Sequence, residues 1–218
     1  MNTRISTLAL AALTLVTTGA FALVSGKVVA PAAALRRLQE GNKHFVSTKV
    51  SGQKPTAAKR HETAKEQHPF AVIVGCADSR TSPEILFDQN IGDLFVIRTA
   101  GELVDNYALG SIEYAVEHLG ARLIIVMSHE SCGAVKAALS SDSASGHIKN
   151  LVHDIQPAVA LAKTQSGDLM RNAVIDNAQL IAEKICHEAN FGEHAKEVKV
   201  MTAYYHLDSG KVEWPKEN

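Results

Sequence analysis

The sequence comprises 218 residues, of which 46% are hydrophobic and 21% are charged. These proportions are typical of a folded globular chain and exclude a collagen-like, disordered or polytopic membrane protein. Lysine and arginine number 22 against 23 acidic residues, so the formal net charge is only -1. Because no long basic run occurs, no nucleic-acid partner is predicted. Three cysteines are too few for a disulfide framework.

The first 22 residues carry the pattern of a secretory signal peptide. Arg4 is followed by an uncharged stretch over residues 5–24, and Ala20-Phe21-Ala22 supplies the small residues that a signal peptidase reads. We predict cleavage after Ala22, export to the periplasm or beyond, and a mature protein without membrane attachment. The alternative is an uncleaved membrane anchor, because about 20 apolar residues can span a bilayer.

Residues 23–218 are predicted to form a single domain that begins with an N-terminal helical arm over residues 23–50. Apolar runs predict strands at residues 70–74, 94–97, 123–127, 198–204 and 212–214. Helical spacing separates these strands, at residues 32–49, 56–67, 106–119, 134–139, 148–163 and 169–189. Strands that alternate with helices imply right-handed crossovers. We therefore predict an α/β fold, with a mostly parallel central sheet of four to five strands flanked by helices.

Two of the predicted strands run directly into residues that bind metals. Cys76 and Asp78 follow the first apolar run, and His129 and Cys132 follow the third. Sites in open parallel sheets form at the carboxyl ends of the strands. Residues two apart in an extended segment point the same way, and one helical turn or a tight loop can aim residues three apart at one point. Their joint placement favours a metal site.

Cys76, His129 and Cys132 match a common zinc ligand set, two thiolates and one imidazole. A catalytic zinc keeps three protein ligands and leaves the fourth position to water, whose pKa falls from about 15.7 to about 7. Two roles are open to Asp78. It could ligate zinc, or it could pair with Arg80 and accept a hydrogen bond from the activated water.

Each part of this pattern also has a simpler interpretation. A buried cysteine at a strand end commonly belongs to the core, and Asp78 with Arg80 could be an ordinary surface ion pair. In an exported protein, a disulfide between Cys76 and Cys132 is the specific competitor of a metal site. Such a disulfide would leave His129 without a role.

With these residues identified, the chain resembles the β class of carbonic anhydrases over residues 32–214. The signature is Cys76-Ala77-Asp78-Ser79-Arg80, followed 53 positions after Cys76 by His129 and then by Cys132-Gly133. Flanking stretches are similar as well, at residues 92–98, 110–115 and 132–138. The resemblance implies reversible hydration of CO₂ to bicarbonate and a proton. It also implies one Zn²⁺ per chain, held by Cys76, His129 and Cys132.

The resemblance further assigns Asp78 and Arg80 as the catalytic pair and leaves open whether Asp78 also binds the zinc. It implies a homodimer or tetramer in which the N-terminal helix packs on the partner subunit. The substrate pocket, part of it contributed across the dimer, would include four further residues of this sequence: Gln67, Phe95, Tyr114 and Gly133.

Three residues depart from the usual pattern of that family. Ser128 replaces the glycine before the metal-binding histidine, and Thr99 and Glu102 stand where an Asn-x-x-Asn pattern is usual. Other functions stay open on these residues. One is hydrolysis of COS or CS₂ at the same site. Another is a non-catalytic binding module in which zinc only joins two strands, and a third is a thiol redox protein.

Overall fold

The computed structural model describes residues 28–49, 56–140 and 144–215, so the predicted signal peptide lies outside the described residues. The strands are β1 (Ala71–Cys76), β2 (Leu94–Thr99), β3 (Leu123–His129), β4 (Lys199–Tyr205) and β5 (Val212–Glu213). The helices are α1 (Pro31–Val46), α2 (Ala57–Thr63), α3 (Pro83–Leu86), α4 (Asn106–Glu117), α5 (Gly133–Leu139), α6 (Ile148–Ala162) and α7 (Leu169–Glu188). Two short 3-10 helices cover Ala100–Glu102 and Gly192–His194.

The five strands form one sheet in the order β2-β1-β3-β4-β5. The first four are parallel, and β5 pairs antiparallel to β4. This arrangement confirms the predicted α/β fold with a mostly parallel sheet. β1 and β3 are neighbours, with Gly75 in register with Met127, so the carboxyl ends of these two strands lie side by side.

Both faces of the sheet are covered, which explains why β1 and β3 read as unbroken apolar runs. Every residue of these two strands is buried. Successive side chains point to opposite faces. On one face Val72 and Val74 pack with residues of α4 and α7, and on the other Ile73 packs with residues of α1 and α3. The site can therefore form only where the strands end.

Helix α1, which contains most of the predicted arm, packs against its own chain. Asn42 donates hydrogen bonds from Nδ2 to the carbonyl oxygens of Gly210 (2.9 Å) and Leu86 (3.2 Å) and accepts one at Oδ1 from the Val212 amide (2.9 Å). Gly41 allows the close approach, because a Cβ there would lie 1.7 Å from the Phe87 carbonyl oxygen. These contacts fasten α1 to α3 and to β5.

The boundaries differ from prediction where the sequence pattern is weakest. The helix predicted over residues 56–67 ends at Thr63 as α2, and because none of its residues is buried, no tertiary packing supports a longer helix. α3 was not predicted, because four residues starting at Pro83 are too few to show helical spacing. Within the described residues, none of the helices has the length and apolar character needed to cross a membrane.

Candidate metal centre

Cys76, His129 and Cys132 meet at the carboxyl ends of β1 and β3. Their ligand atoms all lie within 4.8 Å of one another, and all three residues are buried. The two sulfurs are 3.9 Å apart, and both cysteines are free, whereas a disulfide bond is about 2.05 Å long. Two thiolates on one tetrahedral zinc, each about 2.3 Å from it, are separated by about 3.8 Å. The spacing of the sulfurs fits a shared metal and does not fit a disulfide.

The imidazole of His129 is prepared for ligation. Its Nδ1 lies 2.8 Å from the Glu130 carbonyl oxygen, which fixes the proton on that nitrogen. Its Nε2 is buried and finds no hydrogen-bond partner in the described parts of the chain. A buried nitrogen without a partner is costly. A metal ion between Nε2 and the two sulfurs would satisfy it, so the residues present fit a zinc ion.

The sequence between His129 and Cys132 forms a tight loop. Ser131 adopts a positive φ of 55°, which turns the chain back sharply before α5 begins at Gly133. Glu130 holds the loop against β4 and the residues that follow it. Its amide donates to the Tyr205 carbonyl oxygen (2.9 Å), and its Oε2 accepts from the Leu207 amide (3.0 Å). The loop therefore presents both ligands to β1.

The sulfur of Cys76 accepts hydrogen bonds that favour its thiolate. The neighbouring Cys132 is the main cause that lowers the pKa of Cys76, and the amide of Gly101, 3.4 Å from the sulfur, adds to it. The two thiols share a proton, which raises the pKa of Cys132. Two sulfurs that compete for one proton form an electron-rich pair suited to a divalent cation.

Asp78 and Arg80 form a bidentate pair beside the three ligands. The guanidinium donates from Nε to Oδ1 (2.9 Å) and from Nη2 to Oδ2 (2.7 Å), and the Arg80 amide also donates to Oδ1 (2.9 Å). These bonds hold the pKa of the Asp78 carboxyl well below its usual range. Its Oδ2 lies 4.0 Å from Nε2 of His129. The structure thus places an ionised carboxylate, occupied by Arg80, next to the cluster.

Arg98 supports this loop, and the sequence reading did not assign it a role. Its Nε donates to the Cys76 carbonyl oxygen (2.9 Å), and its Nη2 donates to the carbonyl oxygen of Asp78. Thr81 closes the same loop, because its hydroxyl donates to the Asp78 carbonyl oxygen (2.9 Å). Arg98 lies in one of the flanking stretches that carry the resemblance, at residues 92–98, and this position was the only indication in the sequence that it belongs to the site.

Of the departures, Glu102 is completely buried next to the cluster. Its Oε1 accepts a hydrogen bond from Asn177 Nδ2 (3.1 Å). Burial and the negative charge of Cys76 raise the pKa of Glu102 to about 8. Ser128 donates to the Ala203 carbonyl oxygen (3.2 Å) and so adds a bond between β3 and β4. Asn177 lies in the middle of the long helix α7, where nothing in the sequence marked it.

The four residues expected in a substrate pocket are distributed over the fold. Gly133 is beside the cluster, directly after Cys132, and a Cβ there would meet nothing within 4 Å. Gln67 is exposed before the amino end of β1. Phe95 is four residues before Thr99, the register partner of Cys76, which is about 13 Å along the strand. Its ring lies 6.5 Å from that of Tyr114, which is 48% exposed. Within one chain, Gln67 and Phe95 are not at the ligand end of the sheet.

Comparisons with known proteins agree with the site. The profile of the family described as carbonic anhydrase matches residues 71–212. A carbonic anhydrase of Mycolicibacterium smegmatis is 38% identical over 196 residues, covering 84% of this chain and 92% of that protein. Carbonic anhydrase 2 of Mycobacterium tuberculosis is 45% identical over 137 residues, covering 61% of this chain and 66% of that protein.

Solved structures show the same fold. The β-carbonic anhydrase of Coccomyxa, in complex with acetazolamide, superposes with a TM-score of 0.65 at 26% identity, covering 83% of this chain and 85% of that one. A structure from a study of two tetrameric β-carbonic anhydrases of Sordaria macrospora gives a TM-score of 0.63 at 22% identity, covering 83% and 95%. Together with the family match over the sheet and the cluster, these similarities show that the chain belongs to the carbonic anhydrases, in their β class.

Proposed function

We propose that this protein catalyses the zinc-dependent, reversible hydration of CO₂ to bicarbonate and a proton. One observation carries the proposal. Three ligand atoms of the zinc-binding type lie within 4.8 Å of one another, and an ionised Asp78–Arg80 pair lies beside them. The family of the chain supports the reaction, since its named relatives are carbonic anhydrases.

Cys76, His129 and Cys132 would hold one Zn²⁺ per chain. Zinc, when bound, would make hydroxide available at neutral pH by lowering the pKa of water to about 7. The protein backbone orients the imidazole of His129. The bond between His129 Nδ1 and the Glu130 carbonyl oxygen (2.8 Å) fixes the tautomer that leaves Nε2 free to ligate.

Asp78 would act on the proton of the attacking water. Its carboxylate is a hydrogen-bond acceptor only, and both oxygens are held in place by Arg80. Accepting a hydrogen bond from this water at Asp78 would turn an oxygen lone pair of the water toward the carbon of CO₂. Arg80 keeps the carboxylate ionised even under acidic conditions, because its hydrogen bonds hold the pKa of Asp78 well below its usual range. Asp78 thereby orients the nucleophile without taking up a proton itself.

The same geometry argues against zinc as a purely structural clip. A structural zinc site has four protein ligands. The candidate for the fourth is Asp78, which in this structure pairs with Arg80 at 2.9 and 2.7 Å; this pairing supports a role for Asp78 as a hydrogen-bond acceptor rather than as a fourth ligand. A zinc site with three protein ligands favours an enzyme over a binding module.

CO₂ is apolar and needs an apolar surface beside the reacting oxygen. We propose that a second copy of the chain supplies part of this surface. β2 is an edge of the sheet, and Phe95, Val96 and Ile97 on it are only half-buried. The solved β-carbonic anhydrases of Sordaria macrospora are tetrameric. Light scattering on the mature protein should give a dimer or tetramer, and a strictly monomeric active enzyme would contradict this part of the proposal.

We also propose that the protein is exported. The support is the uncharged stretch over residues 5–24 and the Ala20-Phe21-Ala22 site. Amino-terminal sequencing of protein from a periplasmic or culture fraction should begin at Leu23. Recovery of the full-length chain from the cytosol alone would refute export.

The activity is tested with the wild-type protein and Asp78→Ala. The wild type should contain about one zinc per chain and hydrate CO₂ in stopped-flow assays. Asp78→Ala should retain zinc and lose about 10²- to 10⁴-fold in rate, the range for a positioned acid or base. Asp154→Ala, which removes an exposed carboxylate on α6, should behave as the wild type. Full activity in Asp78→Ala would refute the proposed role of Asp78. A zinc-containing wild type that is active on COS or CS₂ but not on CO₂ would show that CO₂ is not the substrate.

A further inference from the structure

A buried acid and a buried amide lie directly behind the ligand cluster. Glu102 is 0% exposed and Asn177 is 2% exposed. In the described residues, two buried side-chain polar atoms lack a hydrogen-bond partner: Glu102 Oε2 and His129 Nε2. One belongs to a zinc ligand, and the other belongs to a residue with no role in the reaction so far. A carboxyl group kept in such a costly position calls for a function.

The contacts of these two residues lead to a zinc ligand. Asn177 Nδ2 has two hydrogens, and it donates to the Gly101 carbonyl oxygen (2.8 Å) and to Glu102 Oε1 (3.1 Å). The amide of Gly101 in turn lies 3.4 Å from the Cys76 sulfur, to which it donates. We propose that Asn177 and Glu102 are positioning residues that hold the Gly101 amide on the Cys76 sulfur and so tune zinc binding.

The backbone conformation explains why this turn needs support. Gly101 has φ 71° and Glu102 has φ 45°, so two consecutive residues are left-handed. That region is unfavourable for a residue with a side chain such as glutamate. On its other side the turn is confined, since a Cβ on Gly101 would lie 2.9 Å from Ile155 Cδ1 and 3.2 Å from Ala134 Cβ. Asn177 holds both residues of the turn at once from α7.

The turn acts on the metal through sulfur. A hydrogen bond from an amide to a thiolate withdraws electron density from the sulfur and fixes its direction. Without the Asn177 bonds the turn would relax, and the Cys76 sulfur would lose this donor. Outer partners of metal ligands typically change metal affinity by about 10- to 100-fold. The inference rests on the proposed function in one respect, that Cys76, His129 and Cys132 hold zinc.

The experiment follows the metal rather than the reaction. Zinc release to a chromogenic chelator is timed for the purified holoenzyme, and the sulfur-to-cobalt charge-transfer band is recorded after Co²⁺ substitution. Asn177→Ala and Glu102→Ala should release zinc about 10- to 100-fold faster and shift the band. Glu102→Gln retains an acceptor for Asn177 and should stay near the wild type. Asn172→Ala is the matched control, an asparagine on the same helix whose side chain, among the described residues, bonds the Ser166 carbonyl oxygen (3.1 Å).

The outcomes separate the two proposals. A wild type that binds no zinc would refute the proposed function. A zinc-loaded wild type whose release rate and cobalt band match those of Asn177→Ala would overturn the positioning role alone. If circular dichroism shows that Asn177→Ala does not fold, the comparison of Glu102→Ala with Glu102→Gln tests the positioning role instead. Glu102→Gln as impaired as Glu102→Ala would overturn the inference, because the hydrogen bond to Asn177 would then not be what matters.

Discussion

Two arginine–carboxylate pairs lie near the carboxyl edge of the parallel sheet, and they differ in what surrounds them. The Asp78–Arg80 pair follows β1, and the carboxylate side chain is only 17% exposed. The Glu213–Arg171 pair joins β5 to α7, and its carboxylate is 53% exposed. Glu213 also contacts Nε2 of His206 at 3.1 Å, and the Arg171 guanidinium stacks over the ring of Tyr204.

The two pairs differ in whether a buried polar atom that lacks a hydrogen-bond partner lies beside them. His129 Nε2, a buried atom for which the described residues offer no hydrogen-bond partner, is 4.0 Å from Asp78 Oδ2. Around Glu213 and Arg171, no described residue has a buried side-chain polar atom that lacks a partner. A satisfied, solvent-exposed pair contributes to stability, whereas a pair beside costly unpaired groups indicates a site that completes itself with a ligand.

The largest expected effect comes from removing a ligand. Cys132→Ala should reduce zinc from about one per chain to less than about a tenth, since a buried metal site rarely holds with two protein ligands. CO₂ hydration should fall with the zinc. Metal analysis and stopped-flow rates measure both. Cys186→Ala, which alters an exposed cysteine on α7, should keep both at wild-type values. Equal zinc content in Cys132→Ala and Cys186→Ala would show that Cys132 is not needed to bind the zinc.

An intermediate effect is expected from the residue that braces the Asp78 loop. Arg98→Ala removes the donors to the carbonyl oxygens of Cys76 and Asp78. A displacement of the Asp78–Arg80 pair by about 1 Å can cost about 100-fold in rate, so we expect a loss of about 10- to 100-fold in kcat/KM. Arg36→Ala, an exposed arginine on α1, serves as the control. An unchanged kcat/KM in Arg98→Ala would show that the loop keeps its geometry unaided.

The smallest effect is expected at the second pair. Glu213→Gln should leave hydration unchanged and cost at most about 1 kcal/mol at pH 7, because the pair is half-exposed and screened by solvent. Arg171 lowers the pKa of Glu213, so its stabilisation is present above the unfolded value of about 4.3 and is lost as the pH falls through the folded value. Urea unfolding at pH 7 and at lower pH measures this. A difference between variant and wild type that grows on acidification would contradict the assignment.

Much of the fold was predictable from the sequence because the hydrophobic pattern is unambiguous. The apolar runs that became β1 and β3 are typical of strands buried on both faces. α3 was missed because one turn starting at Pro83 has no periodicity. α2 ends earlier than predicted because its polar residues bury no side chain, so no packing fixes where the helix stops.

The residues of the candidate site also differ in how far the sequence predicts them. Cys76, His129 and Cys132 were identifiable because their spacing and their position after strands are specific, and the structure brings their ligand atoms together. Asn177 was not identifiable, because its contact with Gly101 joins residues 76 positions apart and depends on how α7 packs. Long-range hydrogen bonds of this kind leave no local signal in a sequence.

The central claim, that two cysteines and one histidine hold a single zinc beside an Asp78–Arg80 pair, is tested most directly by zinc-edge X-ray absorption on the purified protein. We expect two sulfur atoms at about 2.3 Å and two lighter atoms at about 2.0–2.1 Å from the metal. A first shell with fewer than two sulfurs, or a purified protein that contains no zinc, would contradict it.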